Sequence, residues 1–157
     1  MTQDHLQLAE VDPAAPEAAA LMAALDRDLN ARYPGFEIQG IDASSFREAG
    51  GIFLVGRLEN VAVACAALRP MDDGAVEVKR MYVSGAHRGR GFGRAILAAL
   101  EEIAARRGYR TIRLETGGLQ PEAIALYESA GYQHIPCYGA YASDPLSVCF
   151  EKQLAPV

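Results

Sequence analysis

Short runs of alternating hydrophobic and polar residues dominate this chain, and three stretches show helical spacing instead. Leu21, Leu25 and Leu29 recur one turn apart, which predicts a helix that ends before Pro34-Gly35. Glu59-Asn60 separates two apolar runs, which predicts a hairpin. The predicted strands are His5–Val11, Ile52–Leu58, Val61–Leu68, Ala75–Val83, Thr111–Glu115, Tyr132–Ile135 and Ser147–Lys152, and the predicted helices are Ala14–Arg32, Arg94–Arg107 and Pro121–Ser129, with a short one near Ser44–Phe46.

The order of these elements predicts the fold class. Hairpin-connected strands come first and strand–helix–strand units follow, which indicates a mixed α/β sheet flanked by helices. The chain has 157 residues, half of them hydrophobic, which suits a single domain over residues 1–157 with one core.

One loop carries the clearest chemical signal. The run Arg88-Gly89-Arg90-Gly91-Phe92-Gly93 follows a predicted strand and opens into the helix that begins at Arg94. Glycines let the backbone approach a ligand closely, and a helix N-terminus favours an anion. The arginines add permanent charge suited to phosphate oxygens, so the sequence predicts a pyrophosphate cradle.

Two common phosphate loops do not fit this run. A P-loop ends in Gly-Lys-Ser/Thr, but here the corresponding end is Phe92-Gly93-Arg94. A dinucleotide-binding loop requires a third glycine where Arg94 stands, and the bulk of that side chain opposes close helix–strand packing.

The loop instead resembles the Gln/Arg-x-x-Gly-x-Gly/Ala loop of the GNAT superfamily of acyl-CoA-dependent N-acyltransferases. A second segment, from Gln120 to Tyr132, resembles the family's Asn-x-x-Ala-x-x-Leu-Tyr-x-x-x-Gly-Phe pattern. The order and separation of the two segments also match, and the resemblance covers roughly Gly51 to Leu154. It implies a mostly antiparallel sheet of six to seven strands whose central strands, ending at Val83 and Glu115, splay apart to hold acyl-CoA.

The same resemblance implies a set of cofactor-binding residues. The pantetheine arm would pair with the backbone of the strand ending Met81-Tyr82-Val83, and a backbone N–H near Met81 would polarise the thioester carbonyl. Gln120 stands where many relatives have Asn, so it either contacts the arm or caps the helix that follows. The cofactor-binding set is Met81, Tyr82, Val83, Arg88, Gly89, Arg90, Gly91, Phe92, Gly93, Arg94, Gln120 and Tyr127.

The resemblance also implies two catalytic roles. Tyr127 matches the tyrosine that stands near the cofactor sulfur, where its hydroxyl would protonate the departing thiolate; otherwise it caps the core with its hydroxyl in water. Glu77 is the first choice of base for the acceptor ammonium, and Glu115 is the second. Glu77 otherwise pairs with Lys79 or Arg57 across the sheet.

Composition narrows the range of partners and locations. The net charge of −5 argues against nonspecific nucleic-acid binding, and no apolar run approaches the roughly 20 residues that span a bilayer. No signal-peptide pattern is evident at the N-terminus. We therefore expect a cytoplasmic protein that binds neither nucleic acid nor membrane.

Cysteine and histidine usage predicts no metal site. Cys65, Cys137 and Cys149 are odd in number and lack CxxC spacing, so we expect neither a disulfide framework nor a zinc site. Cys65 is expected in the core, and Cys137 is the cysteine expected to line a pocket. The three histidines are widely separated and lack acidic neighbours, so they do not form a metal site.

The sequence therefore predicts an N-acetyltransferase that uses acetyl-CoA as co-substrate, without a metal, and acts on a small amine. Acceptor specificity is assigned to two irregular stretches. These are residues 33–46, with Glu37 and Asp42, and residues 136–144, with Tyr138, Tyr141 and Asp144. Two alternatives stay open: a non-catalytic acyl-CoA sensor, and an acetyltransferase of protein N-termini or lysines. A homodimer is expected from the family resemblance alone.

Overall fold

The computed structural model describes residues 5–36 and 40–156. Its strands are β1 (Gln7–Glu10), β2 (Ile52–Leu58), β3 (Val61–Pro70), β4 (Val76–Val83), β5 (Thr111–Gly117), β6 (Gln133–Ile135) and β7 (Ser147–Gln153). Its helices are α1 (Pro16–Arg32), α2 (Ala43–Glu48), α3 (Phe92–Arg106) and α4 (Pro121–Ser129), with short 3-10 turns at Gly85–His87 and Gly139–Tyr141.

All seven strands form one sheet in the order β1-β2-β3-β4-β5-β7-β6. Every neighbouring pair is antiparallel except β4 and β5, which are parallel and lie at the centre. A parallel pair requires a crossover, and α3 provides it. The mixed, mostly antiparallel sheet predicted from the sequence is therefore confirmed.

Helices cover both faces of the sheet. On one face, α3 and α4 pack against the larger hydrophobic cluster, which includes Ile96, Leu97 and Leu100 of α3. Their spacing places them on one side of the helix, facing the strands. On the other face, α1 and α2 pack against a smaller cluster through Leu21 and Phe46.

The boundaries of several elements differ from the prediction by a few residues. The hairpin turn at Glu59-Asn60 is confirmed, and both residues have positive φ, as a tight two-residue connection requires. β3 and β5 continue beyond their predicted ends, because Pro70 still pairs with Val76 and Gly117 still pairs with Ser147. Among the described residues, no helix is long and apolar enough to cross a bilayer.

Candidate active site

A cavity opens where the two central strands separate. β4 and β5 pair only from Val76 to Val78 and from Ile112 to Leu114, and the ladder ends there although both strands continue. The cavity beyond this point has a volume of about 320 Å³. Its lining residues come from α1 and the loop after it, β4, β5, α4 and the segment before β7: Leu25, Leu29, Tyr33, Phe36, Val78, Lys79, Arg80, Met81, Glu115, Thr116, Gly117, Gln120, Ala123, Leu126, Tyr127, Ala140, Tyr141, Asp144 and Leu146.

A β-bulge in β4 determines which side chains face this cavity. Ala66 of β3 lies opposite both Arg80 and Met81, because the register shifts there, and Arg80 has a φ of 56°. A non-glycine residue in this region is strained by about 1–3 kcal/mol, and such strain is common at functional sites. The Arg80 guanidinium donates to Asp26 of α1 at 2.6 Å and to the Met22 carbonyl at 3.1 Å, which fixes the bulge against α1.

The bulge changes the alternation of side chains along β4. Before it, Val76 and Val78 belong to the larger hydrophobic cluster. After it, Met81 and Val83 pack against that same cluster, whereas Tyr82 packs against the smaller one. A regular strand could not place both Val78 and Met81 on one face, because side chains alternate with a period of two.

The glycine–arginine loop has the form of an anion-binding turn. Gly89 and Gly91 have φ values of 80° and 81°, which other residues rarely adopt, and a side chain added at either would meet open space. Gly91 is the N-cap of α3 and contributes no side chain, and the first hydrogen bond there runs from the Ala95 N–H to the Gly91 carbonyl. The N–H groups of the first turn therefore point outward, where a phosphate group fits.

Two arginines of this loop also make contacts inside the protein. Arg88 donates from Nε to the Val83 carbonyl at 2.9 Å, forms an ion pair with Asp28 and lies over the ring of Tyr82. Arg94 donates to Ser129 of α4. These contacts hold the loop and the start of α3 in place.

The remaining predicted loop residues differ in their exposure. Phe92 is buried and anchors the start of α3, whereas Arg90 is exposed. A side chain added at Gly93 would lie 3.3 Å from Leu126, so α3 and α4 pack closely at this point.

Tyr127 projects from α4 into the cavity wall and is almost fully buried. Its ring packs against Tyr132 and Phe150, with centroid distances of 5.9 and 5.8 Å. Burial, and next the negative charge of Glu115, raise the pKa of its hydroxyl, so this hydroxyl stays protonated. Tyr127 therefore brings a protonated hydroxyl to the cavity wall.

The two candidate carboxylates have different environments. Glu77 is 2% exposed, accepts hydrogen bonds from Arg69 and from the Tyr138 hydroxyl, each at 2.8 Å, and is absent from the cavity lining. Glu115 lines the cavity and accepts a hydrogen bond from Ser147 Oγ at 2.6 Å. Of the two expected partners, Lys79 forms a longer ion pair with Glu77 at 3.9 Å, whereas Arg57 pairs with Glu17.

The environment of Glu115 favours its neutral form. Burial raises the pKa of this carboxyl above its ordinary value, and the nearby charges of Asp144 and Glu77 act in the same direction. The hydrogen bond from Ser147 and the positive charge of Lys79 oppose this shift. A carboxylate with a raised pKa is a better proton acceptor near neutral pH.

The predicted specificity segments contribute in part to the cavity. Tyr33 and Phe36 line it on one side, and Tyr141 and Asp144 line it on the other. Asp42 caps α2 through the N–H groups of Ser44 and Ser45, and Glu37 lies outside the described residues. Tyr138 reaches Glu77 rather than the cavity.

Gln120 lines the cavity, and its side chain makes no capping hydrogen bond to α4. The amide is therefore available to a ligand. Of the two roles expected for Gln120, capping of α4 is not observed. Its nitrogen lies near Gly117, at the same end of the cavity as Tyr33.

The expectation for the cysteines was partly wrong. Cys137 and Cys149 form a disulfide with a Cα–Cα distance of 5.1 Å, and neither lines the cavity. The strand β7 and the irregular segment before it bring together two residues 12 positions apart. Cys65 is in the core as expected; burial raises the pKa of its thiol to about 12, and it donates to the Arg80 carbonyl at the bulge.

Sequence reasoning missed several residues of the cavity. Lys79 and the α1 residues Leu25 and Leu29 line it, and Ser147 orients Glu115. The leucine spacing predicts that α1 faces the core. Whether Leu25 and Leu29 line a cavity depends on how α1 packs against the sheet, which the spacing does not show. No group of three or more potential metal ligands occurs within residues 5–36 and 40–156.

Comparison with known proteins supplies an independent line of evidence. The model of the acetyltransferase (GNAT) family matches residues 18–132. IAA acetyltransferase of Azospirillum brasilense is 34% identical over 151 residues, which cover 96% of this chain and 99% of that relative. N-acetyltransferase 8 of Homo sapiens is 30% identical over 102 residues, which cover 62% of this chain and 45% of that relative.

Solved structures match along nearly the whole chain. One described as an acyl-CoA N-acyltransferase of Klebsiella pneumoniae is 36% identical, has a TM-score of 0.82, and covers 98% of this chain and 100% of its own. YncA of Salmonella typhimurium, solved with its cofactor acetyl-CoA, has a TM-score of 0.72 and covers 98% of this chain and 96% of its own. At 21% identity, this second likeness concerns the fold alone.

Proposed function

This chain belongs to the acetyltransferase (GNAT) family, and on that premise we propose that it transfers the acetyl group of acetyl-CoA directly to the primary amine of a small molecule. The observation that carries the proposal is the shared cavity at the strand separation. Tyr127, Glu115 and the bulged part of β4 all line it. A tyrosine hydroxyl, a carboxyl group and an unpaired strand edge are thus brought to one place.

The residues at the strand separation and in the loop fit acyl-CoA. The open first turn of α3 and the glycines at 89 and 91 would hold the pyrophosphate, with Arg88, Arg90 and Arg94 supplying positive charge around it. The backbone of residues 81–83 would pair with the pantetheine arm, since the ladder to β5 ends at Val78. Gln120 would contact the arm through its amide.

Acetyl-CoA supplies a thioester whose carbonyl carbon an amine attacks. A backbone N–H near Met81 would donate to the carbonyl oxygen. Tyr127 donates its proton to the sulfur as the carbon–sulfur bond breaks and the carbon–nitrogen bond forms. Of the two protons that the ammonium loses, one reaches solvent through Glu115 and the other replaces the proton given up by Tyr127.

We assign the role of base to Glu115 rather than to Glu77. Glu115 faces the cavity, and its raised pKa suits proton acceptance. Both oxygens of Glu77 are engaged by protein donors, Arg69 on one and Tyr138 on the other. In this scheme Glu77 anchors the segment that contains Tyr138. Glu115→Gln should therefore lower kcat more than Glu77→Gln, at equal acetyl-CoA affinity.

The test of the reaction is release of free thiol from acetyl-CoA against a panel of amines, amino acids, polyamines and aminoglycosides. IAA belongs in the panel because it appears in the name of the A. brasilense relative. Tyr127→Phe should lower kcat by about 10²–10⁴-fold, the usual contribution of a general acid, and should leave acetyl-CoA binding unchanged. Tyr109→Phe, on the tyrosine that follows α3, is the matched control and should keep wild-type activity.

Two outcomes would favour the other functions. Tight acetyl-CoA binding with no acceptor-dependent thiol release would support a sensor. Activity on peptides alone would support a protein acetyltransferase, against which the cavity volume of about 320 Å³ argues. The cytoplasmic location, the single-domain organisation and the homodimer stay proposals from the sequence.

A further inference from the structure

Lys79 is unusual among the residues that line the cavity. The chain has two lysines, Lys79 and Lys152. Lys152 is absent from the cavity lining; it donates to Glu101 and to the Ala130 carbonyl, each at 2.8 Å, and lies over the ring of Tyr132. The Lys79 side chain is 9% exposed and lines the cavity. A buried ammonium is costly unless other groups compensate its charge.

The protein compensates this charge only in part. Within the described residues, the hydrogen-bond partner of Lys79 Nζ is the neutral Tyr141 hydroxyl, at 3.0 Å. Glu77 forms an ion pair with Lys79 at 3.9 Å, beyond hydrogen-bond distance, and it also binds Arg69 and Tyr138. An ammonium carries three donors, so Lys79 retains capacity for an anionic ligand.

Negative charge lines the same cavity, close enough to Lys79 for the charges to act on each other. Glu115 and Asp144 both contribute to its wall, and both are close enough to affect each other electrostatically. The cavity therefore presents a positive group, Lys79, and neighbouring carboxyl groups to a bound molecule. A ligand that carries an ammonium and a carboxylate complements both kinds of group.

The side of the cavity formed by α1 is apolar. Leu25 and Leu29 line it, followed by the ring of Tyr33, which packs edge-to-face on Phe36 at 6.2 Å. A wall of this kind suits an aliphatic or aromatic group. The volume of about 320 Å³ must also hold the acyl end of the cofactor, which limits the acceptor to a small molecule.

We propose that the acceptor is a small amino acid with an apolar or aromatic side chain, whose carboxylate binds Lys79 while its amine faces Glu115. The inference rests on the proposed function, because it names the acceptor of that reaction. Lys79 is then the residue that distinguishes an amino acid from a plain amine. Tyr141 positions the ammonium of Lys79 through its hydroxyl.

The test compares acceptors that differ only in the carboxylate: L-phenylalanine with phenethylamine, and L-methionine with 3-(methylthio)propylamine. The wild-type enzyme should have at least about tenfold higher kcat/KM for each amino acid, consistent with a charge-assisted hydrogen bond. Lys79→Met should abolish this preference, mainly by raising KM for the amino acid. Lys152→Met removes a lysine away from the cavity and should keep the preference.

A binding measurement separates this inference from the proposed function. N-acetyl-L-phenylalanine should bind the wild-type enzyme more tightly than the Lys79→Met variant in calorimetry. If N-acetyl-L-phenylalanine binds in a Lys79-dependent way but no acceptor causes thiol release, the proposed acetyl transfer is rejected and the carboxylate-binding site at Lys79 is supported. Equal kcat/KM of the wild-type enzyme for each amino acid and its matching amine would overturn the inference. This outcome is measured on the wild-type enzyme alone, so it does not depend on the folding of any variant.

Discussion

The close approach of Tyr33 to Gly117 permits a quantitative prediction about the cavity. A Cβ atom placed on Gly117 would lie 1.8 Å from the Tyr33 hydroxyl oxygen and 2.5 Å from its ring. Real Cβ contacts essentially never fall below 3.0 Å, so in Gly117→Ala the hydroxyl must retreat by at least 3.0 − 1.8 = 1.2 Å. Tyr33 would then lose the hydrogen bond from the Leu119 N–H, now 3.1 Å long.

The expected cost follows from these displacements. Overpacking costs about 1–3 kcal/mol of unfolding free energy, which lowers Tm by about 2–4 °C per kcal/mol in a chain of this size. A shift of about 1 Å in a positioning residue can reduce the rate about 100-fold, so we expect kcat/KM for the acceptor to fall by about 10–100-fold. The assay is acceptor-dependent thiol release together with thermal unfolding.

The neighbouring glycine provides the control. A Cβ on Gly118 would lie 3.5 Å from the Leu146 carbonyl, an ordinary contact, so Gly118→Ala should change stability by less than about 0.5 kcal/mol. In a Tyr33→Ala background, Gly117→Ala should cost less than in the wild type, because the clashing ring is gone. Wild-type activity and Tm in Gly117→Ala, or equal damage from the two alanines, would refute the steric explanation.

Two further predictions concern proton transfer and the disulfide. The acidic limb of the pH profile of kcat/KM should lie above the ordinary carboxyl pKa, because Glu115 acts deprotonated and burial raises its pKa. The hydrogen bond from Ser147 lowers the pKa of Glu115, so Ser147→Ala should raise that pKa and move the limb to higher pH. An unmoved limb in this variant would exclude Glu115 as the base. Removal of the Cys137–Cys149 disulfide should lower the free energy of unfolding by about 2–4 kcal/mol. A reductant should therefore lower the Tm of the wild type but not that of a Cys137→Ser, Cys149→Ser double variant. Equal responses of the two proteins would contradict the pairing.

Features with a local signature could be predicted from the sequence. The Glu59-Asn60 turn, the glycine loop before α3 and the position of Tyr127 on α4 depend on residues close together in the chain. The fold class followed from the order of these elements, and the family comparisons confirmed it.

The remaining features depend on contacts between distant segments. The choice between Glu77 and Glu115 depends on Arg69 and Tyr138, which lie on other elements. The disulfide pairs two cysteines that lack any recognised spacing. Burial of Lys79 depends on which face of β4 is covered, and a charged residue in a strand is ordinarily read as exposed.

The bulge in β4 inserts one residue into the strand, and the side chains before and after it still match the two faces of the sheet. Deleting one residue at Arg80 would remove the extra position opposite Ala66 and restore regular pairing. Met81 would then follow Lys79 directly, so Met81 would stay on the face of Val78 and Tyr82 on the face of the smaller cluster. The contacts of Arg80 with Asp26 and with the Met22 carbonyl on α1 would be lost. The additional residue therefore ties β4 to α1 and leaves the faces of the other side chains in the strand as regular alternation would place them without it.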